Sequence, residues 1–137
     1  MILTRRGLLG LFPFLAFAAD SRPGATIRGK LHIHEGAPPK IETEEHKTLT
    51  LEGDDTTTKV LGDPRLDGFD VQVRGHQEGA DHFRVDPSHT RSMLVRKDGR
   101  LKLVTYWCDI CSIRAYTPGP CVCCQRETTL DLRDPDQ

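Results

Sequence analysis

The chain has 137 residues, 36% of them hydrophobic and 28% charged, with a formal net charge of −1 at pH 7. That make-up fits a single globular domain with a modest core, and excludes a disordered chain, a multi-pass membrane protein and a large enzyme cleft. Acidic and basic residues alternate along the chain without forming a basic stripe for phosphates, so nucleic acid is not an expected partner.

The opening stretch, MILTRRGLLGLFPFLAFAAD, joins the pair Arg5-Arg6 to an apolar run from Leu8 to Ala18 that ends in Ala-Phe-Ala. This is the layout of a cleavable export signal, assigned to residues 1–19. The run is shorter than the roughly 20 apolar residues a bilayer crossing needs, and Pro13 interrupts it, so no stable membrane insertion is expected after cleavage. Arg5-Arg6 followed by Gly7-Leu8-Leu9 resembles a twin-arginine signal, with Leu and Gly where Phe and Lys are usual. Ordinary Sec export is the alternative. Either route implies a bacterial periplasmic or extracellular protein, and the twin-arginine route implies one that folds, and can load a metal, before it crosses.

Beyond the signal, Ile27, Leu31 and Ile33 recur with the period of a half-buried strand, and a loop with Pro38-Pro39 follows. Leu49 and Leu51 mark a second alternating run, from Thr48 to Leu51. Residues 56–61 suggest a short helix ahead of Gly62-Asp63-Pro64. Phe69, Val71 and Val73 alternate with polar residues in a further strand that Gly75 is expected to end. Gln77-Glu78-Gly79 and the run His82 to Val85 then read as a hairpin. The last pair, 93–97 and 100–106, is joined by Asp98-Gly99, which suits a two-residue type I′ turn. Short strands with little helix predict a mainly β protein.

The order strand, strand, short helix, strand, hairpin, with the phrase Leu66-Asp67-Gly68-Phe69-Asp70-Val71-Gln72-Val73-Arg74-Gly75, looks like a small OB-like β-barrel. The resemblance covers about residues 25–95 and implies a barrel core over residues 20–97. Stacking aromatics for single-stranded nucleic acid would mark such a barrel's binding face. Phe69 and Phe83 are the only aromatics in this stretch, and both take core positions, which leaves the barrel as scaffold or as a surface for an unknown protein partner.

All five cysteines fall in YWCDICSIRAYTPGPCVCCQ, within the segment 98–137 that holds the last hairpin strand. Cys108-x2-Cys111 and Cys121-x2-Cys124 are separated by nine residues, and each short turn presents two thiolates on one side. Four thiolates suit tetrahedral Zn²⁺, with iron or copper as chemical neighbours. Thr117-Pro118-Gly119-Pro120 favours a turn that returns the chain. Tyr106 and Trp107 are expected to pack this segment onto the last hairpin.

The segment resembles a short zinc ribbon. Pro118-Gly119-Pro120-Cys121-Val122-Cys123-Cys124 is also similar to the end of the heavy-metal-binding domain attached to copper-transporting ATPases and efflux adaptors. The positions matching that family's ligands are Cys108, Cys111, Cys121 and Cys124, with Cys111 in place of a histidine. Val122 and Gln125 stand where Pro and Gly usually shape the second knuckle, Asp109 and Ser112 hold the equivalent places in the first, and the family's terminal methionine is missing. Over some 20 residues the resemblance implies metal ligation rather than transport.

Trp-Cys-x-x-Cys also spells a thioredoxin-type redox pair. That chemistry needs the first turn of a long helix and several strands behind it, whereas Pro118 and Pro120 stop any helix starting at Cys111 and 13 residues follow Cys124. Disulfides remain an alternative for an exported chain, although five cysteines cannot all pair internally. Cys123 reads as a buried small apolar residue or as a spare thiol for metal transfer. His32 and His34, two apart, share a strand face and could grip a second metal together with His76, His82 or His89, but exposed histidines on a β surface are ordinary. Glu42, Glu44 and Glu45 read as a solvated face, and no nucleophile–base motif or phosphate loop is present. The sequence therefore predicts a non-enzymatic exported protein with structural zinc, with a metal-handling protein and, more remotely, a thiol–disulfide enzyme as alternatives.

Overall fold

The computed structural model describes residues 24–135; the expected export signal lies outside them. The fold is mainly β, with a closed five-stranded barrel and a four-cysteine segment at its C-terminal side. β1 (Ala25–His32), β2 (Lys40–Thr43) and β3 (Thr48–Glu52) form a meander. α1 (Asp55–Leu61) and a 3-10 turn (Pro64–Leu66) lead to β4 (Asp70–Glu78), which returns antiparallel to β1. β5 (His82–Val85) pairs antiparallel with β4 and parallel with β3, which closes the ring in the order β1-β2-β3-β5-β4-β1. Helix placement between β3 and β4 and the parallel β3–β5 pair are those of an OB-like barrel.

Two glycines let the strands cross at close quarters. A Cβ on Gly75 would lie 1.9 Å from the Arg84 carbonyl oxygen, and one on Gly29 would lie 2.1 Å from that of Glu42. Gly75 therefore does not end its strand as the sequence suggested. It lets β4 continue to Glu78 and change partners, pairing with β6 (Met93–Lys97) along its first half and with β5 along its second.

Leu31, Ile41, Leu49, Leu51, Val71, Val73, Phe83 and Val85 point inward from the barrel strands, and Val60, Leu61 and Leu66 come from the helical connection. Phe83 is buried and Phe69 packs against the same core, as their positions implied. α1 starts at Asp54, whose side chain accepts from the Thr57 backbone N–H at 2.8 Å, and this cap offsets the weak helix propensity of the threonine run. A single-turn helix, α2 (His89–Ser92), packs on α1, β4 and β6.

β7 (Arg100–Cys108) leaves the barrel after a turn in which Asp98 and Gly99 both have positive φ, as a type I′ turn requires. One of its edges pairs with β6 and then with β8 (Ile113–Ala115); the other is covered by β9 (Thr129–Arg133). Val104 and Tyr106 from β7 enter the barrel core, so a single strand serves both barrel and cysteine segment. β2, α2, β8 and β9 were not anticipated. Ile41 in β2 and Leu130 and Leu132 in β9 do alternate with polar residues, but over four or five positions that pattern is short.

Candidate metal centre

Cys108 is the last residue of β7, where it pairs with Ile113 of β8, so the first Cys-x-x-Cys forms the tip of a β-hairpin. Ser112, the residue after Cys111, has φ of 52°. The second pair repeats the device. The Cys121 N–H donates to the Arg126 carbonyl at 2.7 Å, the Gln125 N–H donates to the Cys121 carbonyl at 2.8 Å, and Gln125 has φ of 59°. A Pro120–Glu127 bridge closes the loop. Ser112 and Gln125 adopt the left-handed backbone that glycine would take without strain.

Two such knuckles bring Cys108, Cys111, Cys121 and Cys124 together, with all four sulfurs within 4.8 Å of one another. Cys108 Sγ and Cys124 Sγ are 3.6 Å apart. Zinc–sulfur bonds of about 2.3 Å in a tetrahedron put sulfurs about 3.8 Å apart, so the donor set fits that ion with little adjustment. All four residues predicted as ligands converge, and they could hold a metal.

The electrostatics of the site agree with its geometry. Backbone N–H groups of Cys124 and then Cys123 aim at the Cys121 sulfur and lower its pKa to about 7. Cys111 is pushed far above the ordinary thiol range, first by its hydrogen bond with the Cys123 side chain, then by burial and by the sulfurs of Cys124 and Cys121. Negative charge therefore collects readily on one sulfur but not on all of them. A divalent cation at the centre would supply what full ionisation lacks. Cys108 and Cys121 are 3% exposed, whereas Cys111 and Cys124 are half-buried, so the site has a protected side and an open one.

Of the two sequence readings of Cys123, the buried one fails. Cys123 is exposed rather than buried, because the knuckle turns its side chain outward beside Cys111. Tyr106 and Trp107 also part company, since neighbouring residues of a strand face opposite sides. Tyr106 is fully buried in the barrel core, while Trp107 lies half-buried under the Arg114 guanidinium, 4.9 Å from ring centroid to Cζ.

A buried polar cluster fastens the cysteine segment to the barrel. The Tyr106 hydroxyl donates to Asp63 Oδ2 at 2.9 Å, and Arg65 donates to both oxygens of the same carboxylate. Arg65 also reaches the Thr128 carbonyl at 2.9 Å and stacks 5.1 Å from the Tyr106 ring. The buried Thr128 hydroxyl donates in turn to the Gly119 carbonyl at 2.9 Å, inside the loop between the knuckles. Burial alone would raise the Asp63 pKa, but its bonds to Arg65 and Tyr106 outweigh burial and hold it below the usual value. Burial, and then the Asp63 charge, raise the tyrosine. No sequence pattern announced this cluster, because Tyr106 and Thr128 lie far along the chain from the turn that holds Asp63 and Arg65.

The histidines do not form a second site of this kind. β1 ends at His32, which meets Glu42 at 3.1 Å, and His34 lies in the following loop. His76 meets Glu78 at 3.2 Å, His82 meets Glu52 at 3.8 Å, and His89 is buried. Among the described residues, the group of three or more His, Cys, Asp or Glu placed to hold a metal is the four cysteines. Among the described residues no helix follows Cys111, so the pair does not sit at the start of a helix as a thioredoxin pair does. No helix among the described residues is long and apolar enough to cross a membrane.

No protein-family model, curated protein or solved structure matches the chain.

Proposed function

We propose that the chain is an exported, non-enzymatic binding module whose C-terminal ribbon is folded around one structural Zn²⁺ held by Cys108, Cys111, Cys121 and Cys124. The observation that carries this reading is the convergence of two matching knuckles on one point, with all four sulfurs within 4.8 Å. Four thiolates fill a tetrahedral ion and leave no position for water or substrate, which favours a structural role over a catalytic one. The clamp from Asp63 through Arg65 to Thr128 supports the same role, since it makes the ribbon a continuation of the barrel. The barrel surface would then serve a protein partner rather than nucleic acid, in the periplasm or outside the cell, reached through the twin-arginine or Sec route.

Metal analysis with thiol counting on protein purified from its export compartment tests the reading. One zinc per chain with one reactive thiol, that of Cys123, is the expected result. A metal-free chain with two disulfides would overturn it. A second reading, reversible carriage of copper or zinc, is favoured by the exposed Cys123 beside half-buried ligands. Variable copper occupancy with fast exchange would support that reading instead.

A further inference from the structure

The fifth thiol lies on the open side of the cluster. Cys123 is exposed, adjoins Cys124, whose sulfur lies within 4.8 Å of that of Cys111, and sits in a knuckle whose outer residue, Val122, is 88% exposed. Cys108 and Cys121 are shielded from solvent, whereas Cys111 is not. An oxidant arriving from solvent therefore meets Cys123 first, and the neighbour able to resolve the product is Cys111. Cys124, although adjacent in sequence, is a poor partner. Successive Cα atoms are about 3.8 Å apart, below the range of about 4.4–6.8 Å that disulfides span.

We propose that Cys123 and Cys111 form an oxidation site that releases the bound metal: a small disulfide oxidises the pair, and the ribbon loses one of its four ligands. The proposal rests on the metal-bound reading above. In the first step the Cys123 thiolate attacks one sulfur of the small disulfide, forming a mixed disulfide and expelling one thiolate. In the second the Cys111 thiolate leaves the metal and attacks the Cys123 sulfur, forming the internal disulfide and expelling the second thiolate. Two protein thiolates have then given two electrons to one small disulfide, and the metal retains three sulfur ligands. A three-thiolate site is open to water and to competing chelators.

The test uses full-length zinc-loaded protein and glutathione disulfide, with released zinc read by a chromogenic chelator and the disulfide located by peptide mapping. Wild type should release its zinc about tenfold faster than Cys123→Ser, because the mutant keeps all four ligands but lacks the attacking thiol. Mapping should find Cys111 joined to Cys123. Equal release rates, or a disulfide joining Cys108 to Cys121 or Cys111 to Cys124, would overturn the proposal. Metal content before oxidant is added reports separately on the zinc reading. If the protein takes up no metal, mapping of the same oxidised protein still decides whether Cys123 pairs with Cys111.

Discussion

At the scale of single residues, Asp63 shows how a buried charge is retained. It is 4% exposed, yet it stays ionised because Arg65 neutralises it and Tyr106 donates to its second oxygen. Tyr106→Phe keeps the ring in the core but removes that donor, and should cost about 1–3 kcal/mol in denaturant unfolding. His89 behaves in the opposite sense. Burial, only partly opposed by the nearby Asp54 charge and the Val104 backbone, lowers its pKa below the ordinary 6.5, so the folded protein holds it neutral. The unfolded chain binds that proton more readily, so stability is complete above about pH 6.5 and declines as pH falls towards the folded pKa. Urea midpoints measured between pH 7.5 and 5 should fall accordingly, and His89→Gln should flatten the decline.

At the scale of elements, the strands owe their legibility to inward apolar side chains, and their misreadings to backbone. Leu49, Leu51, Val71 and Val73 alternate over enough positions to be seen, and the structure buries all four. Gly75 was taken for a terminator because glycine usually breaks a strand, whereas here a neighbouring carbonyl occupies the place of its side chain. Gly75→Ala should force two strands apart and cost about 1–3 kcal/mol, read as a lowered thermal midpoint. The knuckles carry the complementary lesson. Their cysteine spacing was plain in the sequence, but the left-handed turns at Ser112 and Gln125 were disguised by residues that do not advertise them. Gln125→Gly should relieve that strain and stabilise the protein by about 0.5–1 kcal/mol in equilibrium unfolding.

At the scale of the whole molecule, the barrel and the ribbon share β7 and the Asp63 cluster, so they should not unfold independently. Removing zinc from the proposed site should lower the melting temperature of the entire protein in one transition, as calorimetry with and without a chelator would show. A ribbon that melted alone, leaving the barrel's transition in place, would contradict the coupling. This coupling could not be read from the sequence, since Asp63, Tyr106 and Thr128 acquire meaning only when β7 runs past the end of α1.

The five barrel strands all lie between residues 25 and 85, and the first cysteine is residue 108. During synthesis all five barrel strands are therefore made before the first thiol is added. The knuckles would then emerge onto a platform already built, with Asp63 and Arg65 waiting for Tyr106 and Thr128 to arrive. In that order of events a metal at the proposed site would act last, ordering the two knuckles after the barrel strands have been made.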